Sequence, residues 1–200
     1  MEFQHVNVKL FVKNTEEFDL ADLIPVFHHW IQNKAAGELL LDVADYRHVH
    51  SGPGVVLIGH EGNYSLDNTG DRLGVRYNRK APLKGTNQDR LVQATQAALA
   101  ACRRLETEPS LAGKIQFHGR EIELFLNDRL LAPNTPETRA ATDSDFRTLF
   151  STLFGESEYT ASYPQDPRSL FSIRVRTSQS FDTAALLNNL NSQVPTFYQR

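Results

Sequence analysis

The chain has 200 residues, of which 40% are hydrophobic, 22% charged and 10% aromatic, with 11 glycines and 9 prolines. A chain of that length buries roughly 70% of its unfolded surface without staples, and the composition excludes disordered, collagen-like and low-complexity classes. Its net charge of -3 provides no overall basic field for a phosphate backbone, which argues against a nucleic-acid partner.

A single cysteine, Cys102, rules out an internal disulfide and any zinc site built mainly from thiolates, and it suits a reducing compartment. The segment Met1-Glu-Phe-Gln-His-Val-Asn-Val-Lys9 starts with an acid and alternates apolar and polar residues, unlike a secretory signal. The expected location is therefore the cytoplasm. No run approaches the ~18 apolar residues of a spanning helix, so no membrane partner is expected. The sequon Asn63-Tyr64-Ser65 is then an accident of spelling.

In chain order, Val6, Val8, Leu10 and Val12 recur at period two with Asn7, Lys9 and Lys13 opposite, which predicts a half-buried strand over 6–13. A helix capped by Asp22 follows, with Pro25 in its first turn, an apolar stripe of Leu23, Val26, Phe27, Trp30 and Ile31, and a stop at Gly37. The apolar runs 38–44 and 54–60 read as central strands joined through Ser51-Gly-Pro-Gly54, and 72–78 as the third member of a meander. Thr86, with Asp89 three residues on, opens a long helix to about Leu105 with Leu91, Thr95, Ala98 and Cys102 on one stripe. Segments 114–118 and 121–126 predict a hairpin turning at Gly119, followed by a Pro- and Thr-rich loop over 133–142 that is the best candidate for a subdomain boundary. A short helix through Phe146, Leu149, Phe150 and Leu153, a hairpin of 159–163 with 170–177, and a last helix near 182–189 with an irregular tail complete the chain. The expectation is one α+β domain over 1–200, a mixed and largely antiparallel sheet of about seven to eight strands covered by three to four helices.

Five of seven histidines lie between residues 28 and 60, with Asp42, Asp45 and Glu61 nearby, an inventory that suits a divalent metal or acid-base chemistry. If 38–46 and 54–60 pair, His48 and His50 sit at the loop and His60 with Glu61 at the far end, roughly 20 Å away by strand rise. One ion cannot take both groups. What remains is His48-x-His50 on one side of an extended segment as metal ligands, or Asp45, His48, His60 and Glu61 as acid-base candidates; polar loop residues and a strand-end histidine bonded to backbone are the plainer alternatives. No cofactor is required by the sequence. Ser51-Gly-Pro-Gly54 precedes a strand rather than a helix, so it is a tight turn and not a phosphate cradle. Arg72, Arg76, Arg79 and Lys80 concentrate positive charge, and alternation puts Arg72 and Arg76 on one face, either as an anion-binding patch or as a solvated sheet face. Cys102, on the apolar stripe, reads as an inert core thiol.

The strings Phe27-His-His-Trp-Ile-Gln32, Asp42-Val-Ala-Asp-Tyr-Arg-His48, Gly52-Pro-Gly-Val-Val-Leu-Ile-Gly-His-Glu61 and Asn127-Asp-Arg-Leu-Leu-Ala-Pro-Asn134 resemble a group of bacterial proteins of unknown function and span about half of the chain. The resemblance implies a soluble bacterial protein and carries over no site residue. The expected function is binding, either of a partner subunit, including a second copy, or of a small ligand, through 45–61 and the neighbouring 72–80. The alternative is a metal-assisted or His/Asp acid-base hydrolase.

Overall fold

The computed structural model describes residues 1–13, 19–111 and 113–192. The predicted tail, from 193 onward, lies outside them. Among the described residues eight strands form one sheet: β1 (Val6–Val12), β2 (Leu40–Tyr46), β3 (Gly54–Gly59), β4 (Gly62–Asp67), β5 (Gly74–Arg79), β6 (Phe117–Leu126), β7 (Tyr159–Ser162) and β8 (Phe171–Thr177). Their order is β2-β3-β4-β5-β1-β6-β8-β7 and every pairing is antiparallel, so the expected α+β class and strand number hold. Among the described residues four α-helices accompany it: α1 (Leu23–Gln32), α2 (Asn87–Glu106), α3 (Pro136–Phe154) and α4 (Thr183–Asn191).

Alternation decides where the core lies. Val8, Leu10, Leu57, Tyr64, Tyr77, Leu124 and Ile173 point to one side and join Leu23, Phe27, Leu91, Leu99, Phe146 and Leu186 of the helices in one apolar cluster. The stripe read for α1 is buried through Leu23, Val26, Phe27 and Trp30. The capping box of α2 is complete, with Thr86 accepting from Asp89 N while the Asp89 carboxylate accepts from Thr86 N. Cys102 is buried among apolar neighbours, and that burial pushes its thiol well above the ordinary value, as an inert core thiol requires.

Five expectations are corrected. The stretch between 60 and 72, for which no strand is predicted, holds the strand β4, whose Tyr64 and Leu66 enter the core while Asn63 and Ser65 take the other face. β2 is an edge strand and not a central one, with Leu41 half exposed. Gly119 makes no turn: β6 runs straight through it, because the residue lies against the Phe181 backbone, where no side chain fits. The proposed loop 133–142 holds the first two turns of α3, begun by the Thr135 side chain accepting from Thr138 N and by Pro136 at the first helical position. α1 stops at Gln32, short of Gly37, with Lys34 in the left-handed region at φ 49. Strands β1 to β6 and strands β7 and β8, on either side of α3 in sequence, belong to the same sheet.

Candidate functional site

The side chains on the second face of the sheet form three rows rich in polar groups. The register aligns Asn63, Asn78, Asn7, Phe125 and Ser172 across β4, β5, β1, β6 and β8. The next row is Ser65, Arg76, Lys9, Glu123 and Arg174, and the third begins with Asp67, Gly74 and Phe11 and continues with the Glu121–Arg176 pair. Central strands place these groups far from the sheet edges. Asn7 is 1% exposed, Lys9 2% and Asp67 3%, so the half-buried strand expected for 6–13 is buried on both faces.

Desolvation is tolerated here because most charges are paired. Lys9 Nζ lies 2.5 Å from Asp67 Oδ1, and Asp67 also accepts from the amide and hydroxyl of Thr69. Gly74 pairs with Asp67 on β4; a Cβ there would overlap the Leu10 carbonyl oxygen and stand 3.1 Å from Lys9 Cε, so a side chain would collide with the β1 backbone and crowd the lysine on its way to β4. Burial pulls the Lys9 ammonium below its usual pKa, opposed by the charge and hydrogen bond of Asp67. Arg76 lies over the Phe125 ring at 4.5 Å, donates from Nε to Asn78 Oδ1, and has Nη1 3.8 Å from Asp67.

Toward the other end, Glu121 accepts from Arg72 Nη1 at 2.5 Å and Arg176 Nη2 at 2.8 Å, and Glu123 accepts from Arg174 Nη2 and Ser172 Oγ. Burial disfavours the Glu121 carboxylate, but the hydrogen bonds and charges of Arg72 and Arg176 outweigh it and hold its pKa at about 2. A carboxyl depressed on folding stabilises the protein fully above its unfolded value, near 4.5, and that contribution fades as pH falls toward 2. Urea titrations between pH 5 and 2.5 should therefore show a smaller acid-side loss of stability for Glu121→Gln than for the parent chain.

Pairing leaves a remainder at the β4–β5–β1 end. Among the described residues, both amide atoms of Asn7, and Asn63 Oδ1, are buried with no hydrogen-bond partner. Beside them His5, Asn63, Ser65, Asp67, Arg76 and Asn78, with Lys80 and Asn127 at the rim, line an open recess of about 600 Å³. This place offers amide donors and acceptors, one hydroxyl and a cationic side, which is what an oxygen-rich ligand needs.

The sequence candidates fall in three places. Arg72 and Arg76 do share a face, but Arg72 is paired with Glu121 and stacked at 3.9 Å on Phe11, away from the recess. Arg79 contributes to the recess wall while its guanidinium bonds Glu61 Oε2 and the Ala81 carbonyl; Lys80 Nζ bonds the Gly59 carbonyl at the rim. Asp45 is exposed and held at a pKa of about 2 by the side-chain and backbone hydrogen bonds of Arg47. His48 and His50 are exposed in the β2–β3 turn, with His48 stacked on Tyr46, and His60 is exposed at the opposite end of that hairpin. Among the described residues no three His, Cys, Asp or Glu side chains are grouped to hold a metal ion. Sequence reasoning missed His5, Asn7, Lys9, Asn63, Ser65, Asp67, Asn78 and Asn127. A signal existed for several of them: Asn63-x-Ser65-x-Asp67 and Arg76-x-Asn78 alternate with core residues as strictly as Asn7-x-Lys9 does.

None of the described helices is long and apolar enough to cross a membrane. No family model, no curated protein and no solved structure matches the chain.

Proposed function

We propose that the protein is a binding protein for a small, oxygen-rich anionic ligand, held in the recess on the polar sheet face and bound in the cytoplasm. The observation that supports this reading is the set of unpartnered amide atoms of Asn7 and Asn63, buried beside the Arg76 guanidinium and the Lys9–Asp67 pair. A buried polar group without a partner costs about 1–3 kcal/mol, and a ligand that supplies the missing hydrogen bonds recovers part of that cost on binding. Arg76 and Lys80 give the recess its anionic preference, and the Phe125 ring under Arg76 keeps the guanidinium flat and in place. His5, at the recess wall, adds a further ring nitrogen for hydrogen bonding.

Citrate is a suitable probe, since it carries several carboxylates and a hydroxyl in a volume the recess accommodates. Isothermal titration calorimetry should show one saturable site per chain, with Arg76→Gln and Lys80→Gln each weakening it roughly tenfold through loss of one charge-assisted hydrogen bond. Lys80 is exposed, so its variant folds even where Arg76→Gln does not. Absence of saturable heat, or equal affinity in the Lys80→Gln protein, would overturn the assignment.

A further inference from the structure

A second cavity, on the helix side of the sheet, is built from different residues. It measures about 510 Å³ and lies between α2, the 35–38 segment after α1, and the end of β3 and β4. Its floor is Leu57 and its α2 wall presents Ala97, Ala100 and Ala101, side chains too short to close a slot. The indole of Trp30 lies opposite, with the Arg104 guanidinium 5.5 Å from the ring centroid, and Arg104 is exposed at the mouth.

The polar groups of this slot are incompletely matched. Glu38 Oε2 accepts from the amides of Glu61 and Gly62, and its Oε1 accepts from the Tyr64 hydroxyl at 3.1 Å. Burial, followed by the Glu38 charge, pushes the Tyr64 hydroxyl far above its ordinary pKa, so it stays a donor fixed on Glu38. Gln93 is different: its Nε2 bonds the Tyr77 hydroxyl at 3.2 Å, while its Oε1 is buried without a partner among the described residues. Turning the amide over only exchanges which atom is left alone. Gln93 lines the slot, and a shift of its side chain that uncovers the unpartnered amide atom lets it meet the alternating N–H and C=O edge of a planar heterocycle, the pairing by which glutamine reads bases.

We infer that this slot binds a planar pyrimidine- or purine-type heterocycle carrying an anionic substituent, its N–H/C=O edge on Gln93, its ring between Trp30 and the alanines of α2, and its anion on Arg104. The site is separate from the polar-face recess and stands or falls independently of it. The anionic substituent follows from position: the exposed guanidinium lies at the mouth, where a ring substituent emerges.

Trp30 is the one tryptophan of the chain, so its fluorescence reports the slot directly. The probes are orotate, which has both the imide edge and a carboxylate, and uracil, which has the edge alone. Orotate should quench Trp30 saturably with half-saturation below about 1 mM, and uracil should bind more weakly. Gln93→Leu should weaken both roughly tenfold, through loss of the hydrogen bond, whereas Arg104→Gln should bring orotate to the uracil level and leave uracil unchanged. Ala100→Phe, at an exposed position of α2 that faces the slot, should abolish binding in a folded protein; Lys80→Gln, in the other recess, should not alter it. Linear, non-saturating quenching by orotate, or equal orotate affinity in the Ala100→Phe or Gln93→Leu proteins as measured by equilibrium dialysis, would overturn the assignment.

Discussion

Replacing Lys9 by Met is expected to destabilise the protein by about 3 kcal/mol, which for a chain of this size is a fall in melting temperature of roughly 6–12 °C. The substitution keeps the aliphatic stem but strips the Asp67 carboxylate of its 2.5 Å partner, leaving only the Thr69 donors and the more distant Arg76. A buried carboxylate in that state either carries its desolvation penalty or takes up a proton. Adding Asp67→Asn removes the stranded charge while still accepting from Thr69, so the double variant should recover much of the loss. A double-mutant cycle on urea midpoints measures this coupling, and strictly additive losses would show that the two groups do not act as a pair.

Gly119→Ala should cost about as much for a different reason, on the order of 3 kcal/mol from overpacking. A Cβ at that position overlaps the Phe181 carbonyl, which is backbone of the segment leading into α4 and cannot swing aside like a side-chain tip. The variant should therefore loosen the docking of α4 onto α2 and β6 as well as lower the global midpoint. Gly37→Ala is the matched control: nothing lies within 4 Å of a Cβ there and its φ is ordinary, so it should fall within about 0.5 kcal/mol of the parent. Equal midpoints for the Gly119 and Gly37 variants, with unchanged hydrogen exchange over 183–191, would contradict the close-approach explanation.

Much of the fold was legible because periodicity is a local signal. The α1 stripe, the α2 capping box and the alternation of Phe171, Ile173 and Val175 each follow from side chains a few residues apart. Gly119 was misread because a glycine that makes a turn and one that admits a distant backbone look identical in sequence. The polar face was harder still. Asn7 and Lys9 have the alternation of a solvated strand side, and only the central position of β1 between β5 and β6, set by pairings some 65 to 120 residues away along the chain, buries them. Histidine density pointed to 48–60, yet charge pairing and burial concentrate on Lys9, Asp67, Arg76 and Glu121. Arg76, Arg79 and Lys80 are common to the sequence reading and the structural site, and for Arg76 its parity along β5 was enough to place it.

The measurement that bears most directly on the central claim is a two-dimensional ¹H–¹⁵N spectrum of the side-chain amides during a citrate titration. The recess predicts that the Nδ2 resonances of Asn63, Asn78 and Asn127 move together and saturate at one ligand per chain, while those of Asn188 and Asn189 on α4 stay fixed. Resonances of the three recess asparagines that do not move at saturating citrate, or that move no more than those of α4, would contradict it.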